Sequence, residues 1–180
     1  MRDDPIVMRP YDPEWPLRFE TERRRVEPIL SGYLVRPIEH IGSTAISGLV
    51  AKPIIDMVAV VRSITEVASA CDQLRRIGWV HAPEPFDEVE RRLSFCCPSV
   101  ARRTHHLHVV EENFDGWREW IAFRDYLRGQ PELCVEYGRL KTNLAAEHGS
   151  DPNNRDAYRS GKAEWVSAVT RRAMADGRPL

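Results

Sequence analysis

Apolar residues recur at helical spacing towards both ends of this chain and at strand spacing through its middle. Residues 8–16 are punctuated by Pro10, Pro13 and Pro16 and read as an extended lead-in. Between 17 and 30, Leu17, Phe19, Val26, Ile29 and Leu30 stand among Glu and Arg, which predicts an amphipathic helix ended by Ser31-Gly32. The loose alternation over 35–41 predicts a strand that delivers the chain to a Gly42-Ser43 turn and a short helix. Residues 54–61 form a nearly continuous β-branched run, the pattern of a strand covered on both faces. A helix is predicted over 63–77, with Val67, Ala70, Cys71, Leu74 and Ile77 on one face and Gly78 behind it.

Three further strands are predicted at 79–81, 91–97 and 105–110, with turns marked by Pro83-Glu84-Pro85 and Pro98-Ser99. After Asn113 the period becomes helical over 115–128, 131–148 and 156–175. Asp115 and Pro131 suit helix starts, Gly129 suits a stop, and Gly149-Ser150-Asp151-Pro152-Asn153-Asn154 separates the last two. The fold class is therefore α+β: a mixed β-sheet flanked by helices, with a helical C-terminal third. One domain is expected over 1–180, its sheet-containing part about 1–113 and its helical part about 114–180.

Charge and composition narrow the classes. A net charge of -1 supplies no overall basic field for duplex nucleic acid. The longest apolar stretch, 53–61, is interrupted by Asp56 and is too short to span a bilayer, so no membrane partner is expected. Met1-Arg2-Asp3-Asp4-Pro5 lacks the apolar core of a secretory signal. Cys71, Cys96, Cys97 and Cys134 form no Cys-x-x-Cys pair and read as buried thiols, which points to the cytoplasm.

The chemistry concentrates in 39–61. A glycine-serine turn ahead of a short helix leaves backbone N–H groups able to seat a phosphate on Gly42, Ser43 and Thr44, unless Ser43 or Thr44 only caps the helix. Asp56 interrupts an apolar strand, where an ionised carboxylate needs a compensating charge: a metal, or a salt bridge to Lys52 or a later arginine. His106 and His108 lie two apart on a strand and share a face, with His105 opposite. If their strand adjoins that of Asp56, the three make a two-histidine, one-carboxylate set that favours zinc, manganese or iron over magnesium, which prefers oxygen; the cofactor expected is a divalent metal (Mg, Mn or Zn). Alternatively one imidazole hydrogen-bonds Asp56 and the other lines a ligand pocket. Glu111 and Glu112 are candidates for a further carboxylate.

Longer blocks carry a resemblance. Ile41-Gly42-Ser43-Thr44-Ala45-Ile46 with Gly48-Leu49, and Lys52-Pro53-Ile54-Ile55-Asp56, are similar to the signature of the GrpB family. His106-Leu107-His108-Val109-Val110, Phe123-Arg124-Asp125-Tyr126-Leu127-Arg128, Tyr137-Gly138-Arg139-Leu140-Lys141 and the pair Tyr158 and Lys162 resemble its later blocks. The likeness runs from about Trp15 to about Val169. It implies a nucleotidyltransferase-like fold, in which a Gly-Ser at this place holds a triphosphate. Related domains also occur fused behind dephospho-CoA kinase, where an accessory folding role has been suggested.

Within those blocks Arg124, Lys141 and Lys162 become candidates for phosphate oxygens, with surface pairing of Arg124 to Asp125 as the alternative. Tyr137 and Tyr158 are read either as base-stacking rings or as packing, and Trp117, Trp120, Phe123 and Leu127 as core anchors. One position departs from the nucleotidyltransferase pattern. Two-metal transfer wants a second carboxylate two residues after the first, and Val58 stands there. The expected function is a nucleotide-binding, metal-dependent nucleotidyltransferase-like protein, with Asp56, His106 and His108 as catalytic and metal residues. Its partner would be a nucleotide triphosphate or related phosphorylated small molecule. The alternative is a non-catalytic nucleotide-binding or accessory module that has lost the transfer site. A hydrolase or oxygenase built on the same three residues trails both.

Overall fold

The predicted apolar run becomes the central strand of a five-stranded sheet. The computed structural model describes residues 6–149 and 154–177, and 1–5, Ser150-Asp151-Pro152-Asn153 and 178–180 lie outside them. The elements, in chain order, begin with α1 (Trp15–Leu30), β1 (Glu39–Ile41), a 3-10 turn (Ser43–Ala45) and β2 (Ile55–Val61). Next come α2 (Ile64–Val67), a second 3-10 turn (Ala68–Ala70), α3 (Cys71–Arg76), β3 (Val80–His81), β4 (Arg92–Pro98) and β5 (Arg103–Glu111). The chain closes with α4 (Gly116–Arg128), α5 (Pro131–His148), α6 (Arg155–Gly161) and α7 (Ala163–Ala175).

Spatial order in the sheet is β1-β2-β5-β4-β3. β2 and β5 run parallel, and every other neighbour pair is antiparallel. The register sets Asp56 beside His106 and Val58 beside His108, so all four share one face. The opposite face carries Ile55, Met57, Ala59, Leu107 and Val109 into a core with Trp15, Val26 and Leu30 of α1 and Leu74 of α3. Val58, Val60 and Val110 pack under Trp117 and Ile121 of α4. A third cluster joins Ile46 and Leu49 to Leu127, Tyr137 and Val169, fastening the helical third to the loop after the Gly-Ser turn. Among the described residues no helix is long and apolar enough to cross a membrane.

Three elements depart from the prediction by more than a residue or two at an end. The strand over 35–41 shortens to β1, since Pro37 has no N–H for a ladder; Leu34 keeps one isolated bridge to Val61. The helix over 63–77 divides. Ile64, Thr65 and Val67 are poor helix formers, and the Ser69 hydroxyl donates back to the Glu66 carbonyl at 2.9 Å. The helix over 156–175 breaks after Gly161, which sets Lys162 at the junction of α6 and α7. That break has a consequence for the site.

Candidate functional site

The turn after β1 is shaped around one carboxylate. Gly42 has φ +71°, and a Cβ there would stand 2.5 Å from Asp56 Oδ2. Only glycine therefore suits the position, and the backbone bend lies directly against the acid. The turn closes with Ala45 N–H on the Gly42 carbonyl and Ile46 N–H on the Ser43 carbonyl, both at 3.2 Å. Neither Ser43 nor Thr44 caps it with a side-chain bond. Thr44 is a strut instead, its hydroxyl donating to the Ile54 carbonyl at 3.1 Å and facing His40 Nε2 at 3.0 Å.

Ser43 Oγ accepts from Lys141 Nζ at 2.9 Å, and the same ammonium donates to the Val50 carbonyl at 2.6 Å. Lys141 is 2% exposed. Among the described residues no carboxylate pairs with it. Burial, reinforced by the charge of Lys162, pushes Lys141 down from 10.5 to about 7. Lys162 is lowered too, chiefly by burial and against the pull of Asp56. Its ammonium lies 5.4 Å from the centre of the Tyr158 ring, and that of Lys52 lies 5.7 Å from it. Tyr158 is thus an aromatic support for two cations, with its hydroxyl on Met8 Sδ at 3.8 Å.

Asp56 meets His106, not an arginine or Lys52, as its hydrogen-bonded partner: His106 Nδ1 lies 3.2 Å from Asp56 Oδ1. Arg103 Nη1 stands 3.1 Å from the other ring nitrogen, Nε2. Arginine only donates, so Nε2 accepts and Nδ1 carries the proton offered to Asp56. Burial works to raise the Asp56 carboxyl. The His106 hydrogen bond, with the electrostatic pull of His106, His108 and Lys52, outweighs it and holds the group below the ordinary aspartate value. His108 is pushed down to about 4 by burial, with Asp56 opposing, and its Nδ1 is buried without a hydrogen-bond partner.

One donor atom from each of Asp56, His106 and His108 lies within 4.8 Å of the others. As a metal set they fit in part. Asp56 and the unpartnered His108 nitrogen are suited to a cation, whereas the His106 nitrogen facing Asp56 is occupied by a proton while Arg103 holds the ring. His105 points to the opposite face, edge-on to Trp79 at 6.2 Å. A cavity of about 170 Å³ gathers Ser43, Thr44, Lys52, Asp56, His106, Lys141, Tyr158 and Lys162. A larger one, about 710 Å³, shares Asp56 and Lys162 with it and adds Gly42, His108, Trp120 and Phe123.

Several expected residues lie elsewhere. Arg124 does not line the small cavity. Its guanidinium is taken by Glu39 at 2.7 Å, the His40 carbonyl at 2.8 Å and Asp125 at 2.8 and 2.9 Å. Glu111 is held by Arg91 at 3.0 and 2.8 Å and by the Ile64 N–H at 3.0 Å, so it offers no second acid beside Asp56. Val58 is sealed in the core under α4. Trp117 and Leu127 are buried as anchors, but Trp120 and Phe123 are half-buried and line the larger cavity. No periodicity or motif marks Arg103, whose side chain is 4% exposed, or Glu84, which it shares with Arg159 at 3.4 and 3.3 Å.

Comparison with known proteins agrees with this architecture. Residues 5–172 match the family described as GrpB protein. The chain is 35% identical over 166 residues to the glutamate-rich protein GrpB of Alkalihalophilus pseudofirmus, covering 91% of this chain and 93% of that protein. It is also 35% identical over 163 residues to UPF0157 protein YqkA of Bacillus subtilis, spanning 91% of this chain but 46% of that longer protein. A dephospho-CoA kinase of Mycolicibacterium paratuberculosis is 26% identical over 191 residues, with 94% of this chain and 46% of the kinase covered. The crystal structure of conserved protein GrpB from Enterococcus faecalis superposes with a TM-score of 0.83 at 30% identity, covering 94% of this chain and 98% of that one. With sequence and structure matched over nearly its whole length, the chain belongs to the GrpB family.

Proposed function

We propose that the small cavity binds the phosphates of a nucleotide triphosphate or related phosphorylated small molecule, and that a divalent metal at Asp56 assists transfer to an acceptor. The carrying observation is the grouping of Lys52, Lys141 and Lys162 around a single acid beside the Gly42-Ser43 turn. Lys141 and Lys162, with the backbone bend beside Asp56, favour an anion at this place. Burying Lys141 without a carboxylate costs on the order of several kcal/mol, a cost that a bound phosphate would offset. Asp56 and His108 are the residues suited to hold the metal (Mg, Mn or Zn), which would supply Lewis-acid polarisation of a phosphoryl oxygen. His106, oriented by Arg103, holds a proton at Asp56 and is the group suited to exchange one with an acceptor.

The second reading is a non-catalytic nucleotide-binding or accessory module. Val58 favours it, because a buried valine stands where a two-metal site needs an acid. The similarity to part of a dephospho-CoA kinase is compatible with it. Thermal-shift measurements with ATP and Mg²⁺, Mn²⁺ or Zn²⁺ separate the two. Metal-dependent stabilisation by ATP, abolished in Asp56→Asn, is the expected result. Stabilisation that ignores both metal and Asp56→Asn but disappears in Lys141→Met would support the module. No response of the unaltered protein to any of these additions would remove both readings.

A further inference from the structure

The two cavities share Asp56 and Lys162 in their walls, so the larger space adjoins the one lined by the lysines. The walls there are different in kind. Trp120 and Phe123 of α4 and Val166 and Ser167 of α7 line a space of about 710 Å³, with Phe123 and Val166 both resting on the cluster of Ile46, Leu127 and Val169. That size is within the range of organic-ligand sites, and the small cavity, about 170 Å³, has room for phosphates but not for a nucleoside.

Trp120 is the telling residue. Its ring meets Phe114 at 64° and His108 at 53°, with centroids 5.7 and 5.4 Å away, so both neighbours are steeply inclined to its plane. No ring among the described residues lies parallel on its face. Trp165 is the internal contrast: Tyr137 is stacked on it at 4.5 Å with an interplanar angle of 1°. A half-buried indole with an unstacked face, on the wall of a cavity adjoining a phosphate site, suits a planar heteroaromatic group. Glu119, exposed at the same cavity, offers an acceptor for an N–H edge of that group.

We infer that the larger cavity receives the nucleobase of a nucleotide, stacked on Trp120, while its phosphates occupy the lysine-lined cavity. The inference rests on the phosphate reading above and goes beyond it by assigning the organic half of the ligand.

Isothermal titration calorimetry of the full chain with the four ribonucleoside triphosphates and with inorganic tripolyphosphate tests it. The unaltered protein should bind its preferred nucleoside triphosphate roughly tenfold or more tightly than tripolyphosphate. Trp120→Ala should lose roughly tenfold in nucleotide affinity, Trp120→Phe should retain most of it, and tripolyphosphate binding should be unchanged in both. Ser167→Trp, at an exposed position of α7 that lines the same cavity, should block the nucleotide by filling the cavity without disturbing the core; it serves where Trp120→Ala does not fold. Equal affinity for tripolyphosphate and every nucleotide would overturn the base site and leave the phosphate site standing. So would unchanged nucleotide affinity in Trp120→Ala or in Ser167→Trp. Failure of the unaltered protein to bind any of the five would remove the phosphate site and the base site together.

Discussion

The two faces of the central strands come from alternate residues of the same short segments, yet they are built for opposite ends. Under α1, Ile55, Met57, Ala59, Leu107 and Val109 form a dry layer, none more than 1% exposed. One residue along, Asp56 and His106 keep 31% and 19% of their side-chain surface open to a cleft. The lesson is one of parity. With a side-chain period of two, a slip of one residue in β2 would send the carboxylate into the core and a leucine-sized side chain into the site. The sealed face therefore fixes register, and the open face can hold charge because the other has already done so.

Breaking the sealed face should have the largest effect. Leu107→Ala removes a fully buried side chain between β2 and β4 and should lower unfolding free energy by about 2–5 kcal/mol, read from urea denaturation. Ligand affinity per folded molecule should not change. A parallel loss of affinity would mean that the two faces are not separable.

The next largest effect probes the seam between turn and acid. Gly42→Ala combines a left-handed φ of +71° with a methyl aimed at Asp56 Oδ2, and about 1–3 kcal/mol of destabilisation is expected. The steric part should shrink when the carboxylate is also removed, leaving only the contact with the Cβ of residue 56 at 3.1 Å. Gly42→Ala should therefore cost less in an Asp56→Ala background than in the unaltered protein, by a double-mutant cycle. Equal costs in both backgrounds would show that only backbone conformation matters at position 42.

How far these features can be read from the sequence follows from how local their causes are. β2 was legible because a continuous β-branched run needs cover on both sides. Asp56 was legible because a lone acid in such a run needs a reason. The shared face of His106 and His108 came from parity alone. What failed depended on distant partners. Arg124 has the chemistry of a phosphate ligand, but its fate is decided by Glu39, far away in sequence on β1. Arg103, Glu84 and Arg159 come from the start of a strand, a loop and a helix that no periodicity relates. Trp120 is a core anchor in part: it packs against the cluster of Trp117 and Ile121, but at the border of that stripe, where it also lines the cavity. Gly161 was passed over as a helix break, and so the placement of Lys162 at a junction was not foreseen.

The smallest change in stability, and the most informative about the open face, is expected for Lys141→Met. At neutral pH the relief of a buried charge and the loss of its bonds to Ser43 and Val50 oppose each other, leaving a net difference of about 1 kcal/mol or less. The pH dependence separates them. Folded protein releases the Lys141 proton near pH 7, whereas the unfolded chain keeps it until about 10.5. Between those values the unfolded state binds more protons, so stability should climb as pH rises through that window. Below about 7 both states are charged, and the cost of burial is constant. Lys141→Met should flatten the climb in urea-midpoint measurements, leaving the contribution of Lys162, whose lowering has the same sign. A bound polyphosphate should favour the charged lysine and draw a proton from solution. Calorimetry near pH 8 in buffers of different ionisation enthalpy should then register proton uptake in the unaltered protein and less in Lys141→Met. Uptake that is identical in both would detach Lys141 from the anion and leave Lys52 and Lys162 to account for the charge of the open face.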